Sequence, residues 1–552
     1  MANNCVYTID GKKYSYEEFR AYLADNIDSL GLDQSKLTGK LRPLEQFQKP
    51  KINKELNDFR EKELGRDLEQ EQKDLDYVEE ELSKRLPKDA REELEAIRDT
   101  ILEQRTADRK IYEKSLDDKK LTAKERIALQ EEKERADYEE SLRTRSRGEK
   151  AKDVMLGIIG IPRALQLGLD LSAIGVQGMR RLATSPIQSY KAFTDMMKQA
   201  FSEKEQEKWH KTLKEQDWYP VLKDSGLSIT EMDGEISKRE ENFSNDYIKM
   251  ITNKAFGKYD PYEASNRAFS GYLNSLRVQG FLEGMTALEA QGKTFESHPQ
   301  DFKSWADYIN NVTGRGSWSK EVNSSKLAQI LFLSPRKIMS EANLINPVYW
   351  GNLFAKDKGK SYEYSLTPTV ARKAFADFSL GMGVLFTASL LAKAAFGDDD
   401  EKSDKDFWNP TSSNFMSIQV KDKKGGKTVI NLFGALKSEI VMLSRLISGK
   451  DTNAMTGKTT KIGDKQGHTR TDIFLNWLAN KLGPAAHLTY AAGKQTKAHP
   501  LDVSDEAVKF VLPSWSQGIV DTYKDYPTST ALALTLTSLF GVQTTHLQKK
   551  KK

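Results

Sequence analysis

Between Asn266 and Arg336 the chain reads NRAFSGYLNSLR (266–277), YINNVTGRGSW (308–318) and LFLSPRKIMS (331–340). Trp305, Tyr308 and Ile309 place bulky apolar groups at helical spacing, and Gly314 supplies the residue that most often ends such a helix. Ser334 followed by Pro335 predicts the next helix start, with serine as N-cap and proline in the first turn. A helix, a glycine stop and a proline start, without sustained alternation of apolar and polar residues, is the signature of an irregular helical body.

The same punctuation continues outward. Breaks fall at Pro162, Pro186, Pro220, Pro261, Pro299, Pro335, Pro347, Pro368, Pro410, Pro484, Pro500, Pro513 and Pro527. FMSIQV (415–420) and TVINLF (428–433) flank a polar turn containing Gly425-Gly426, which predicts a β-hairpin. The expected fold is therefore mainly α: an irregular multi-helix body over 151–548 with one or two small β-hairpins. No fixed-period repeat points to a solenoid.

Ahead of the body, residues 46–150 form a charged arm. Residues 51–150 hold 25 of the chain's 85 Lys+Arg and 30 of its 80 Asp+Glu, which leaves a surplus of +10 on the rest of the chain. Leu64, Leu68, Leu75, Val78 and Leu82 make a thin apolar stripe that Pro87 interrupts and Leu94, Ile97, Ile101 and Leu102 resume. A helical hairpin or short coiled-coil-like element fits this narrow stripe better than a long dimeric rod. Residues 1–45 predict a small hairpin-helix element: Asp10-Gly11 turns between two short strands, and Ser15 with Glu18 forms a capping box. Lys549–Lys552 close the sequence as a lysine tail.

Chemistry is sparse. Cys5 is the one cysteine, so no internal disulfide can form, and the six histidines show no HExxH spacing. Gly457-Lys458-Thr459 resembles the end of a phosphate loop, but Thr452 stands where the first glycine is required. No catalytic, cofactor-binding or metal-ligating residues are expected. The candidates for anion contact are Arg315, between two glycines that would let backbone N–H groups approach, and Arg336 in the helix start after Ser334. Both also fit a structural role, with Gly314 as a C-cap and Arg315 pinning a neighbouring loop. The N-terminus lacks a secretory pattern. Phe378–Ala392 (FSLGMGVLFTASLLA) is uncharged but reaches only about 22 Å as a helix, short of a hydrocarbon core near 30 Å. It, Val154–Pro162 and Tyr526–Gln548 are expected as buried core helices, with conditional membrane contact as the competing reading.

The three opening motifs resemble those of the large polyvalent proteins of tailed bacteriophages and mobile elements. The likeness runs from about residue 165 to 543. It includes ALQLGLDLSAIGVQG (164–178), SPIQSYKAF (185–193), SGLSITEM (225–232), KREENFSNDY (238–247), WNPTSSNFMSIQV (408–420), INLFGALKSEIVMLSRLISGK (430–450), TRTDIFLNWLANKLGPAAHL (469–488) and SLFGVQTTHLQ (538–548). The resemblance implies a non-enzymatic, phage-associated protein of the virion interior, packaged and delivered with the genome, and found in the host cytoplasm during assembly and after delivery. Its implied partners are other virion, portal or internal proteins. Weak sequence-independent DNA contact fits the thin basic surplus. The alternative is an intracellular phage effector or weak nucleic-acid-associated protein acting once inside the cell. The enzymatic modules that many members of the family carry are not recognisable here, and the family's body has no active site to transfer.

Overall fold

The computed structural model describes residues 7–9, 12–14, 51–84, 87–116, 121–143, 173–230, 260–316, 332, 334–355, 365–397, 401–421, 427–434, 436–454, 456–464 and 468–482, with 526, 531, 534–535 and 542–547. They belong to two compact units, Met1–Gln130 and Glu131–Lys552.

In the first unit β1 (Tyr7–Ile9) and β2 (Lys12–Tyr14) pair antiparallel across Asp10-Gly11, with Tyr7 opposite Tyr14. The helix expected from Ser15 lies outside the described residues. Helices α1 (Lys51–Lys62), α2 (Leu68–Ser83) and α3 (Lys88–Leu116) follow, and α4 (Ala123–Arg143) carries the chain into the second unit. Asp67 caps α2, accepting from Gln70 N at 2.9 Å. α2 and α3 run antiparallel: Arg105 pairs with Glu71 near the start of α2, and Arg91 donates to Leu82 O near its end. Leu75, Val78 and Tyr112 are buried while Ile97 and Ile111 stay exposed, so the thin stripe closes a helical hairpin and leaves little more to bury.

The second unit begins with a π-helical turn (Ala173–Gly178) feeding α5 (Met179–Thr184). Then come α6 (Pro186–Phe201), α7 (Glu203–Glu215), α8 (Tyr219–Asp224), α9 (Pro261–Glu289), α10 (Pro299–Val312), α11 (Pro335–Ile345), α12 (Pro368–Phe396) and α13 (Glu401–Trp408). Five of these helices, α6 and α9 to α12, open on a proline, whose missing N–H is no loss in the first turn. The remaining elements are β3 (Ile418–Lys421), β4 (Lys427–Asn431), α14 (Leu436–Ser448), β5 (Lys450–Thr452), β6 (Thr459–Lys461), α15 (Arg470–Ala479) and β7 (Gln543–Leu547).

α9 is the hub. Phe269, Tyr272, Leu273 and Leu276 pack with Ala192 and Met196 of α6, and further along α10 lays Trp305 across Gly280 and Gly284. The indole Nε1 donates to Gly280 O at 2.9 Å, so the buried Trp305 has its polar atom satisfied.

The expected β3–β4 hairpin is present, with Ile418 opposite Ile430, but it is not complete alone. β7 adds a third antiparallel strand against β4, pairing Asn431 with Gln543 and Lys427 with Leu547. Tyr526–Gln548, expected as a buried core helix, is helical and buried at Ala531 and Leu534 but ends in a strand, where its interleaved threonines suit a sheet edge. Gly457, at φ +70°, turns between β5 and β6, so the Gly-Lys-Thr triplet lies in a hairpin. Among the described residues the body thus carries two small sheets, within the one or two hairpins expected, although β5–β6 and the third strand β7 were not foreseen. The added strands are only three to five residues long and too polar to show alternation. Val154–Pro162 lies outside the described residues.

α12 departs most from expectation. Val370, Ala371, Ala374, Gly381, Leu385 and Ser389 form a buried stripe, with the helix drawn so close to α5 that a Cβ on Gly381 would meet Thr184 Cγ2 at 2.9 Å. Leu380 (59% exposed), Val384 (42%) and Leu391 (67%) line the opposite side. Only 22% of its most apolar window is buried, so it is a half-covered helix and not the enclosed core helix that its composition suggests. Replacing Leu385 with Asp is expected to cost several kcal/mol by burying a carboxylate without a partner, whereas Leu391→Asp should change stability by about 0.5 kcal/mol or less. Thermal melting of the two variants checks this; equal melting points would contradict the facing assigned to α12.

Candidate functional site

The motif residues of the opening stretch meet at one buried polar node. The segment 225–230, which turns at Gly226 after α8, bonds to both α9 and α10. Asn310 of α10 accepts from Ser228 N at 2.9 Å and donates to Gly226 O at 3.0 Å. Asn274 of α9 accepts from Thr230 N at 2.7 Å and donates to Thr230 O at 2.9 Å. Two side-chain amides thereby satisfy backbone groups that a neighbouring strand would otherwise pair.

The Thr313–Gly316 turn closes the node. Gly314, at φ +78°, donates to Asn311 O, and Arg315 N donates to Asn310 O at 2.7 Å, which together make the glycine-ended helix cap predicted from the sequence. Arg277 Nε and Nη2 donate to Thr313 Oγ1 and O, each at 3.0 Å. Arg315 Nη1 donates to Thr230 Oγ1 at 2.7 Å. Arg336 Nε donates to Gly316 O and its Nη2 to Ser228 Oγ, both at 3.3 Å. A Cβ on Gly316 would come within 2.5 Å of Ser340 N, so glycine allows this turn to touch α11, where Gly316 N donates to Ser340 Oγ at 2.6 Å. Both candidate anion contacts, Arg315 and Arg336, are thus brought together, and both are buried. Sequence reading missed Arg277, Asn274 and Asn310; all three lie within its quoted motifs, but nothing local distinguishes an inward asparagine from an outward one.

Beside the node lies an ionic latch. Arg180 of α5 makes a two-pronged bond to Glu341 of α11 at 3.0 and 3.1 Å. Arg181, 1% exposed, reaches Asp377 of α12 at 3.3 Å and Glu283 of α9. Tyr308 OH also donates to Asp377, at 2.7 Å; burial, reinforced by that carboxylate, pushes its phenol well above the ordinary range. Burial raises the Glu341 carboxyl against the pull of Arg180, and burial brings the nearby Lys337 ammonium down to about 8. Lys481 meets Glu439 at 2.7 Å on the far side of the cluster.

A third polar centre joins α4 to α7 and α8. Glu131 accepts from Lys214 at 2.6 Å and Tyr219 OH at 2.7 Å, and Lys223 lies at 2.9 Å. Burial opposes its charge, but the lysines and the phenol prevail and hold it at about 2. His210, packed edge-on against Trp209, is brought down to about 4 by burial and by Lys214. Both groups make the fold acid-sensitive. The unfolded chain takes up the histidine proton between pH 6.5 and 4, so stability falls as pH drops through that window, by at most about 3 kcal/mol. Glu131 continues the loss from pH 4.5 towards 2. His210→Phe should flatten the upper limb of a melting-temperature profile, and an unchanged limb would assign the acid sensitivity to other groups.

Among the described residues no group of three or more His, Cys, Asp or Glu side chains could hold a metal ion. No protein-family model, curated protein or solved structure matches this chain.

Proposed function

We propose that this chain is a non-enzymatic, phage-associated protein of the virion interior, packaged and delivered with the genome and meeting a membrane on the way. The observation that carries the reading is α12: it is long and apolar enough to cross a bilayer, uncharged from Phe378 to Ala392, and exposes one apolar face. Its single interior carboxylate, Asp377, is held by Arg181 and Tyr308 on the covered side. Release of that latch would free the helix, so one chain could travel in soluble form and insert later. In this reading the motif arginines Arg315 and Arg336 pin the node that holds the soluble form, and anion contact there would compete with Thr230 and Ser228. The charged arm, a short coiled-coil-like hairpin, suits docking to portal or internal virion proteins.

Mass spectrometry of purified particles before and after DNA ejection tests this. The protein should be present in filled particles and depleted from emptied ones. Its presence only in infected cells would sink the reading and favour an effector that acts inside the host. Tight, salt-resistant binding to DNA would favour the nucleic-acid alternative, because the thin basic surplus predicts binding that moderate salt abolishes.

A further inference from the structure

The outward face of α6 carries a stripe that no described element covers. Ile187 (70% exposed), Tyr190 (68%), Met197 (37%) and Phe201 (80%) recur at intervals of three and four residues with Thr194, and so share one side of the helix. Ser189, Ala192, Met196 and Gln199 occupy the opposite side and are buried. Lys191 and Lys198 flank the stripe along one edge, two turns apart, and make no ion pair among the described residues. Asp195, the one carboxylate of α6, accepts from Ser275 Oγ of α9 at 2.6 Å. The helix is anchored for such a role. Arg267 of α9 donates to Gln199 O at 3.0 Å and Ala200 O at 2.9 Å, securing the last turn and its carbonyls.

We infer that this face of α6 docks the folded protein reversibly on an anionic lipid surface, with Ile187, Tyr190, Met197 and Phe201 entering the headgroup layer and Lys191 and Lys198 pairing with lipid phosphates. Charge selects this occupant. A second copy meeting the stripe face to face would bring lysines together with no carboxylate on the face to pair them, whereas an anionic surface complements both. Tyrosine and phenylalanine beside lysine suit the interface plane, and a helix of 16 residues lies along it with its inner side still packed on α9. The inference rests on the membrane-meeting function proposed above and names its first step. Docking through α6 precedes, and is separable from, insertion of α12.

Flotation of the full chain with phosphatidylcholine vesicles, with and without phosphatidylglycerol, tests the docking. The wild type should float only with the anionic vesicles and be released by salt. The Lys191→Gln/Lys198→Gln double variant should lose about 30-fold in partitioning, and Tyr190→Ser/Phe201→Ser a comparable factor, with circular dichroism unchanged in both. Equal flotation of these variants and the wild type would overturn the inference, as would binding to neutral vesicles alone. A wild-type dimer that the double variant abolishes, or retention on DNA in place of vesicles, would also overturn it. The two membrane steps separate by extraction in alkaline carbonate. Salt-released wild-type protein that never becomes carbonate-resistant supports docking and defeats α12 insertion. Carbonate-resistant protein that the α6 variants leave unchanged does the reverse.

Discussion

Replacing Gly284 with alanine is expected to lower the free energy of unfolding by about 3 kcal/mol. The new methyl carbon would lie 1.8 Å from Trp305 Nε1 and 2.0 Å from Cε2, closer than atoms can approach, so the indole must leave its seat on α9. Leaving also breaks the bond from Nε1 to Gly280 O. Little room exists to accommodate the move, since Phe302, Ala306, Tyr308 and Ile309 on the same helix are each at most 1% exposed. Gly383 is the control. It is also helical, but nothing lies within 4 Å of where its Cβ would sit, so Gly383→Ala should stabilise by about 0.5–1 kcal/mol through backbone entropy. Urea titrations of both variants would reveal the contrast, and a Gly284→Ala protein as stable as wild type would mean that the α9–α10 seam is looser than described.

Arg181→Met should cost about 3 kcal/mol and act unevenly. The arginine is enclosed, whereas its partners Glu283 and Asp377 keep 28% and 21% of their side-chain surface. Deleting the cation leaves two carboxylates facing each other, but their residual access to water keeps the loss towards the low end for a broken buried pair. Because Arg181 ties α5 to both α9 and α12, hydrogen exchange should quicken most along α12. Restoring neutrality with Arg181→Met/Glu283→Gln/Asp377→Asn should recover most of the stability, since a complete apolar or neutral replacement removes the desolvation cost as well. Uniform acceleration across the body, with α12 no faster than α9, would deny the latch its proposed role.

How far the sequence revealed these features depends on the range over which each is determined. Helix boundaries are local, so Pro335 marked a helix start in advance, the breaks expected at Pro186, Pro261, Pro299 and Pro368 fall where helices open, and Gly314 marked a stop that the structure realises with positive φ. Asp10-Gly11 placed β1 and β2 for the same reason. The third strand of the β3–β4 sheet was not legible, because β7 pairs with residues more than 110 positions earlier, Asn431 with Gln543 being the nearest in sequence, and its own five residues carry no alternation. α12 misled for a different reason. Composition reports how apolar a helix is, but only packing determines which side is covered. Arg315 and Arg336 were singled out from the sequence as candidate anion contacts, yet the acceptors that the structure gives them include Thr230 and Ser228, from a separate segment 85 and 108 residues away. A guanidinium in isolation reads the same whether its partner is an anion or a threonine.

The latch has a consequence for how this chain comes into being. Arg180 and Glu341 are 161 positions apart, and Arg181 and Asp377 are 196 apart. A ribosome therefore presents both arginines long before it has made their carboxylates. Until then enclosing α5 leaves Arg180 without Glu341 and Arg181 with Glu283 alone, so the latch can close fully only once synthesis has passed α12. Any product that stops short of Asp377 keeps Arg181 without one of its two counter-ions. Such a truncated chain should be less stable than the full one, which makes the latch a late check on completeness.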